Sequence, residues 1–314
     1  MKLFASYVAF SLAAGHALAA TYSNTDTFEG NSFFTGFSFQ AIADPTNGRV
    51  NYVSESTAQS LGLATVSGSN FILRADDTTT LSASGPGRNS FRIQSNNAYG
   101  THVTVFNVAH MPQGCGTWPA LWEVGPNWPN GGEVDIVEGV NDQVPNQSTL
   151  HTSSGCTMPS SRSETGNIVG TDCVAADAGN AGCGVQMADA NSYGPPFNSN
   201  GGGFYAMERT SSFIKVWFWA RDDGSVPSDV SSGASSVDTD NWGTPDAYFP
   251  NTDCDIASHF ADSNIIINLT FCGDWAGAVY ANSGCPSTCD DYVDNNPSAF
   301  NNAYFEFPWV KVYE

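Results

Sequence analysis

Short runs of alternating or continuous apolar residues recur along the chain, separated by Gly, Asn, Asp and Pro. Residues 34–41, 70–74, 90–95 and 102–108 are of this kind. Residues 149–152, 204–210, 213–220, 264–271 and 304–313 follow the same pattern. Runs of this kind, bounded by turn formers, predict β-strands. Phe213–Ala220 carries large side chains on both faces, as a strand inside a two-layer stack does. No segment sustains a 3.6-residue period, and no repeat of fixed length is present. Two polar stretches interrupt the strands. Residues 156–203 are rich in Gly, Ser, Ala and Asn and hold three cysteines. They read as long loops pinned by disulfides, and residues 225–240 as a second loop. Neither is a domain linker, because the strands on both sides are needed for one core. The expectation is one all-β domain.

One predicted strand is unusual. Gly131-Gly132-Glu133-Val134-Asp135-Ile136-Val137-Glu138-Gly139 sets three carboxylates among residues that favour a pleated chain. On a strand Glu133 and Asp135 share a face, since side chains alternate with period two. Glu138 lies five residues after Glu133 and would point the other way. One extra residue absorbed as a β-bulge returns it to their side. On a helix Glu133 and Glu138 would diverge by roughly 140°. The bulged strand therefore gathers three acids, and the helix scatters them. Crowded like charges raise at least one pKa, which gives the acid-plus-carboxylate pair that glycoside hydrolysis uses. A solvated acidic strand face and a calcium site are the alternatives on spacing alone.

Composition narrows the partners. The 314 residues include 31 acids and 10 bases, a formal net charge of -21. Nucleic acid and anionic membranes are therefore unsuitable partners. Charged residues make up 13% and aromatics 12%. Many rings with few charges suit a neutral polar ligand such as a sugar polymer. Residues 1–19 read as a secretory signal peptide, with Lys2 before an apolar run and Ala17-Leu18-Ala19 as the cleavage pattern. The expected domain is then residues 20–314, secreted and extracellular. Eight cysteines in that setting imply up to four disulfides, and spacing leaves their connectivity open. Asn146-Gln-Ser148 and Asn268-Leu-Thr270 match the glycosylation pattern. No P-loop and no Gly-x-Ser-x-Gly elbow occurs.

Aromatic residues flank the acids. Trp118-Pro119-Ala120-Leu121-Trp122 and Trp128 precede them, Leu150-His151-Thr152 follows, and Cys272-Gly273-Asp274-Trp275 comes later. Together with Glu-x-Asp-x-x-Glu at 133–138, these motifs resemble glycoside hydrolase family 16, most closely its secreted fungal endo-β-1,3(4)-glucanases of the laminarinase-like branch. The resemblance covers residues 22–314. It implies a β-jelly-roll sandwich of two curved antiparallel sheets, concanavalin A-like, with a glycan cleft on the concave face. It also implies retention of configuration, with Glu133 as nucleophile, Glu138 as general acid/base and Asp135 setting the charge of Glu133. The extra residue Val137 favours hydrolysis over the transglycosylases of the family. Trp118, Trp122, Trp128 and Trp275 are the expected sugar contacts, and His151 an expected polar contact near the acids. Trp217, Trp219 and Trp309 fit core packing better. Glu208 faces either the cleft or solvent. No cofactor or metal is needed for catalysis, a structural calcium is left open, and the expected form is a monomer acting on β-glucan. The alternatives are a glucan-binding lectin and a cell-wall transglycosylase.

Overall fold

Two antiparallel sheets stack in the computed structural model, which describes residues 21–177 and 179–314. The expected signal peptide lies outside the described residues. One sheet has eight strands, in the spatial order Asn167–Ile168, Cys183–Gln186, Gln147–His151, Glu133–Glu138, Thr117–Val124, Ser263–Phe271, Arg92–Tyr99 and Phe37–Phe39. The other has seven, in the order Ser236–Asp238, Thr21–Phe28, Trp309–Tyr313, His102–Val108, Gly203–Arg209, Phe213–Ala220 and Ala247–Pro250.

Period-two alternation decides what fills the space between them. Leu121, Val134, Ile265, Ile267 and Leu269 from the eight-stranded sheet join Phe106, Tyr205, Met207, Val216 and Val312 from the seven-stranded sheet in one buried cluster. The alternate residues of the seven-stranded sheet form a second apolar layer. Val103, Val105, Phe204, Trp217, Trp219 and Tyr313 pack there with Val230, Val237 and Trp242. The stretch expected as a polar loop at 225–240 supplies this cover through the helix Ser228–Ser232 and the edge strand Ser236–Asp238. Trp217 and Trp219 are buried in that layer and Trp309 is packed at its margin, as predicted.

Three local expectations change. Residues 34–41 are only partly extended. Phe33–Gly36 forms a helical turn before the strand Phe37–Phe39. The turn puts Phe33 and Phe37 four residues apart on one side, rings 5.6 Å apart, and Phe33 stacks on Phe71 at 4.4 Å. Residues 304–313 split at Pro308, which has no N–H to give a ladder. Tyr304–Phe307 pairs with Asn70–Arg74 in a small sheet, and Trp309–Tyr313 enters the large one. The loop region 156–203 adds Cys183–Gln186 and Asn167–Ile168 to the edge of the eight-stranded sheet.

All eight cysteines are paired: Cys115–Cys285, Cys156–Cys254, Cys173–Cys183 and Cys272–Cys289. The neighbours Cys285 and Cys289 thus have different partners. Their two bridges fasten the segment after Phe271 to the Gly114–Gly116 turn and to the helix Cys289–Asn295.

Candidate active site

The strand Glu133–Glu138 carries a bulge. Against Gln147–His151, Asp135 pairs with Thr149 and Glu138 with Gln147, so three steps on one strand match two on the other. Against Thr117–Val124, Asp135 pairs with Trp122 and Val137 with Leu121. Ile136 and Val137 both turn into the core. Glu138 is thereby returned to the face of Glu133 and Asp135, turned away from the core. Two flanking side chains close the backbone that the bulge releases. Asn146 Nδ2 and Ser148 Oγ donate to the Ile136 carbonyl at 3.0 and 2.9 Å, and Glu138 N donates to Asn146 Oδ1 at 2.8 Å.

The three carboxyls are crowded. Asp135 is 2% exposed, while Glu133 and Glu138 keep a partly open edge. Asp135 hydrogen-bonds Glu133, and its Oδ2 lies 3.3 Å from His151 Nε2. Burial, then the neighbouring Asp135 charge, pushes Glu133 up to about 8. Burial likewise lifts Glu138 to about 7, with Glu133 adding to it, while the Trp118 indole and His151 pull it down. Asp135 rises well above the usual carboxylate range through burial and Glu138. The cluster thus holds protons at neutral pH. Glu138, with its partly open edge, is the carboxyl placed to act as an acid. His151 Nδ1 lies 3.0 Å from Asn180 Oδ1, which holds the ring beside Asp135.

The predicted aromatic residues gather around these acids. The Trp128 indole, 48% exposed, stands near Glu133 at one end and pulls its pKa down. Trp118 Nε1 donates to Glu138 Oε1 at 2.8 Å at the other, and Trp275 stands edge-on to Trp118 at 5.8 Å. Trp122 is beside Asp135 on the adjacent strand, with Nε1 bonded to Asn268 Oδ1 at 2.7 Å. All eight predicted site residues therefore lie in one neighbourhood.

Sequence reasoning missed the polar floor beside them. The Arg92 guanidinium lies 4.8 Å over the Trp122 ring, and its Nε donates to Gln40. Asn268 Nδ2 donates to Tyr52 at 3.1 Å, and Asp44 accepts from Thr270 at 2.8 Å. The available signal for Arg92 was a scarce cation between the apolar Phe91 and Ile93. For Tyr52, in the short strand Val50–Tyr52, and Asp44, before it, no local signal exists.

Two expectations are corrected. Asn146 is fully buried and Asn268 is 7% exposed, and both carboxamides are committed to internal hydrogen bonds. Neither folded sequon has room for a glycan. Glu208 faces neither cleft nor solvent. It is buried on the outer apolar layer, where Tyr22 donates to it at 2.9 Å. Among the described residues one group has a cation's donor set, namely Glu133, Asp135 and His151, with donor atoms within 4.8 Å. It coincides with the acid cluster. No helix among the described residues is long and apolar enough to cross a membrane.

Known proteins are similar to this chain in sequence and fold. A family profile described as XgeA-like, catalytic GH16 domain, matches residues 37–313. The GH16 laminarinase 16A of Phanerochaete chrysosporium, solved with two β-glucans in its donor and acceptor sites, is 61% identical with a TM-score of 0.93, and the match covers 94% of this chain and 100% of that one. A solved elongating GH family 16 β-1,3-glucosyltransferase is 41% identical with a TM-score of 0.87, covering 93% and 100%. A probable endo-1,3(4)-β-glucanase of Aspergillus niger is 45% identical over 95% of this chain, which spans 41% of that relative. The two curled sheets are a jelly-roll sandwich, as expected. Fold, motif and matched length agree, and the chain belongs to glycoside hydrolase family 16.

Proposed function

We propose that this protein is a secreted, retaining endo-glucanase that hydrolyses β-1,3 and mixed β-1,3/1,4 glucans. The observation that carries the reading is the bulge at Ile136–Val137, which sets Glu133, Asp135 and Glu138 on one face between tryptophans. Glu138 gives its proton to the glycosidic oxygen while Glu133 attacks the anomeric carbon. Asp135 holds a proton shared with Glu133 and keeps Glu133 anionic. The ionised Glu138 then takes a proton from water, which releases the covalent sugar. Trp128 serves sugar units on the Glu133 side, and Trp118 and Trp275 those on the Glu138 side. His151 orients Asp135. Two carboxyls suffice for this chemistry, so no cofactor takes part. The active unit is residues 20–314, as a monomer outside the cell.

The test is release of reducing ends from laminarin and lichenan, with the first-formed anomer followed by NMR. The expected result is release with the β-anomer appearing first. Binding without release would favour a lectin, for which three crowded acids have no use. A second reading, transglycosylation, is favoured by the likeness to a protein titled an elongating β-1,3-glucosyltransferase. Chain elongation exceeding hydrolysis in the presence of an oligosaccharide acceptor would select it.

A further inference from the structure

The Asn146-Gln-Ser148 motif has the pattern of a glycan acceptor, yet both of its polar ends serve the bulge. We infer that Asn146, with Ser148, is the clamp that aims the general acid, and that this positioning role is what the motif does. The inference rests on the role proposed for Glu138.

A bulge leaves backbone groups outside the ladder, and buried ones must find partners. Here the Ile136 carbonyl accepts from Asn146 Nδ2 and Ser148 Oγ, and the Glu138 N–H donates to Asn146 Oδ1. One carboxamide therefore spans the bulge, with its donor end before the extra residue and its acceptor end after it. The orientation of the amide follows from this pair of contacts, since a flipped group would set donor against donor. Asn146 itself has no freedom left. Its N–H donates to Ser192 Oγ at 3.0 Å and its carbonyl accepts from Met187 N at 2.9 Å. Ser192 is in turn tied to Asp189 and Tyr205. The clamp is thus braced by the segment leading into the seven-stranded sheet. Its output is the placement of Glu138, whose carboxyl meets Trp118 Nε1 at 2.8 Å. Glu133 and Asp135 precede the bulge and pair regularly with His151 and Thr149, so they do not depend on it.

The test compares Asn146→Ala and Ser148→Ala with wild type on two substrates. Laminarin needs a protonated leaving group, and a 2,4-dinitrophenyl β-laminarioligoside does not. For Asn146→Ala, kcat on laminarin should fall about 100-fold, the cost of an ångström-scale misplacement. KM should stay within about two-fold, and the pre-steady-state burst of dinitrophenol should persist because the nucleophile is untouched. Ser148→Ala removes one of two donors to Ile136 and should show the same split at about ten-fold or less. Both variants abolish the sequon, so a graded effect separates clamp from glycan. An equal loss in kcat on laminarin and in the rate of the dinitrophenol burst, or no loss in either, overturns the inference. A crystal structure of either variant decides the matter without turnover. Glu138 should leave the Trp118 indole, and an unmoved Glu138 refutes the clamp even if wild type proves to hydrolyse nothing. Ser148→Ala serves where Asn146→Ala does not fold.

Discussion

Trp118 shows how much one side chain can tune the acid cluster. Its indole N–H meets Glu138 Oε1 and holds that carboxyl lower than burial alone would. Trp118→Phe keeps the ring and removes the donor, so the ionised form of Glu138 loses its hydrogen bond and the pKa rises from about 7. Activity is lost on the alkaline side as Glu138 loses its proton. The alkaline limb of the kcat/KM profile should therefore move to higher pH in this variant, and a limb that stays or moves down would contradict the contact. Glu133→Ala should reduce turnover by at least about 10⁴-fold while long glucans still bind, measured by reducing-end assay and by isothermal titration. The acids were legible from their covalent neighbours, because a period of two is a local property of a strand. Arg92, Asn268 and Tyr52 were not, because their roles exist only where three distant segments meet.

Among the elements, the segment Gly273–Gly277 bears Trp275 and is tied covalently at its start. The bridge Cys272–Cys289 fixes its start to the helix Cys289–Asn295, and Gly116 O accepts from Cys272 N at 2.9 Å. Cys272 has φ of 57°, a left-handed conformation that non-glycine residues adopt only when held there. Replacing both cysteines by serine should loosen Trp275 and weaken sugar stacking by about 1 kcal/mol. That corresponds to a rise in KM of about five-fold with kcat little changed, read by steady-state kinetics on laminarin. An unchanged KM would remove Trp275 from the list of sugar contacts. The strands at 102–108, 204–210, 213–220 and 264–271 were readable from alternation, whereas Thr21–Phe28, Thr117–Val124 and Ala247–Pro250 were not read as strands. The helical turn at Phe33–Gly36 was not readable, since the Phe33–Phe71 stack that stabilises it involves a strand far along the chain. The cover strand Ser236–Asp238 looked like loop because its pairing with Thr21–Phe28 is non-local.

For the whole molecule, three raised carboxyls and a net charge of -21 act in the same direction. The crowded carboxyls as a group hold protons in the folded chain up to about pH 8 and release them near 4.5 once unfolded. Between those values the folded state holds the extra proton, so stability falls as pH rises. Growing self-repulsion adds to the fall. Calorimetry should show Tm decreasing from pH 5 to pH 8. Glu133→Gln, neutral throughout, should exceed wild type in Tm at pH 8 and match it near pH 4. A wild-type Tm that climbs across this range would reject the crowded-acid account of the site.

The sequence by itself determined the all-β character, many of the strands and the acid motif, because alternation and spacing are properties of neighbours in the chain. It also held the extra residue that makes a bulge necessary. Only the tertiary structure decided which cysteines pair, that two apparent glycan acceptors are internal struts, and which polar side chains floor the groove. Those outcomes depend on residues brought together by the two sheets, and the contacts between them appear only when hydrophobic burial has fixed both sheets in register.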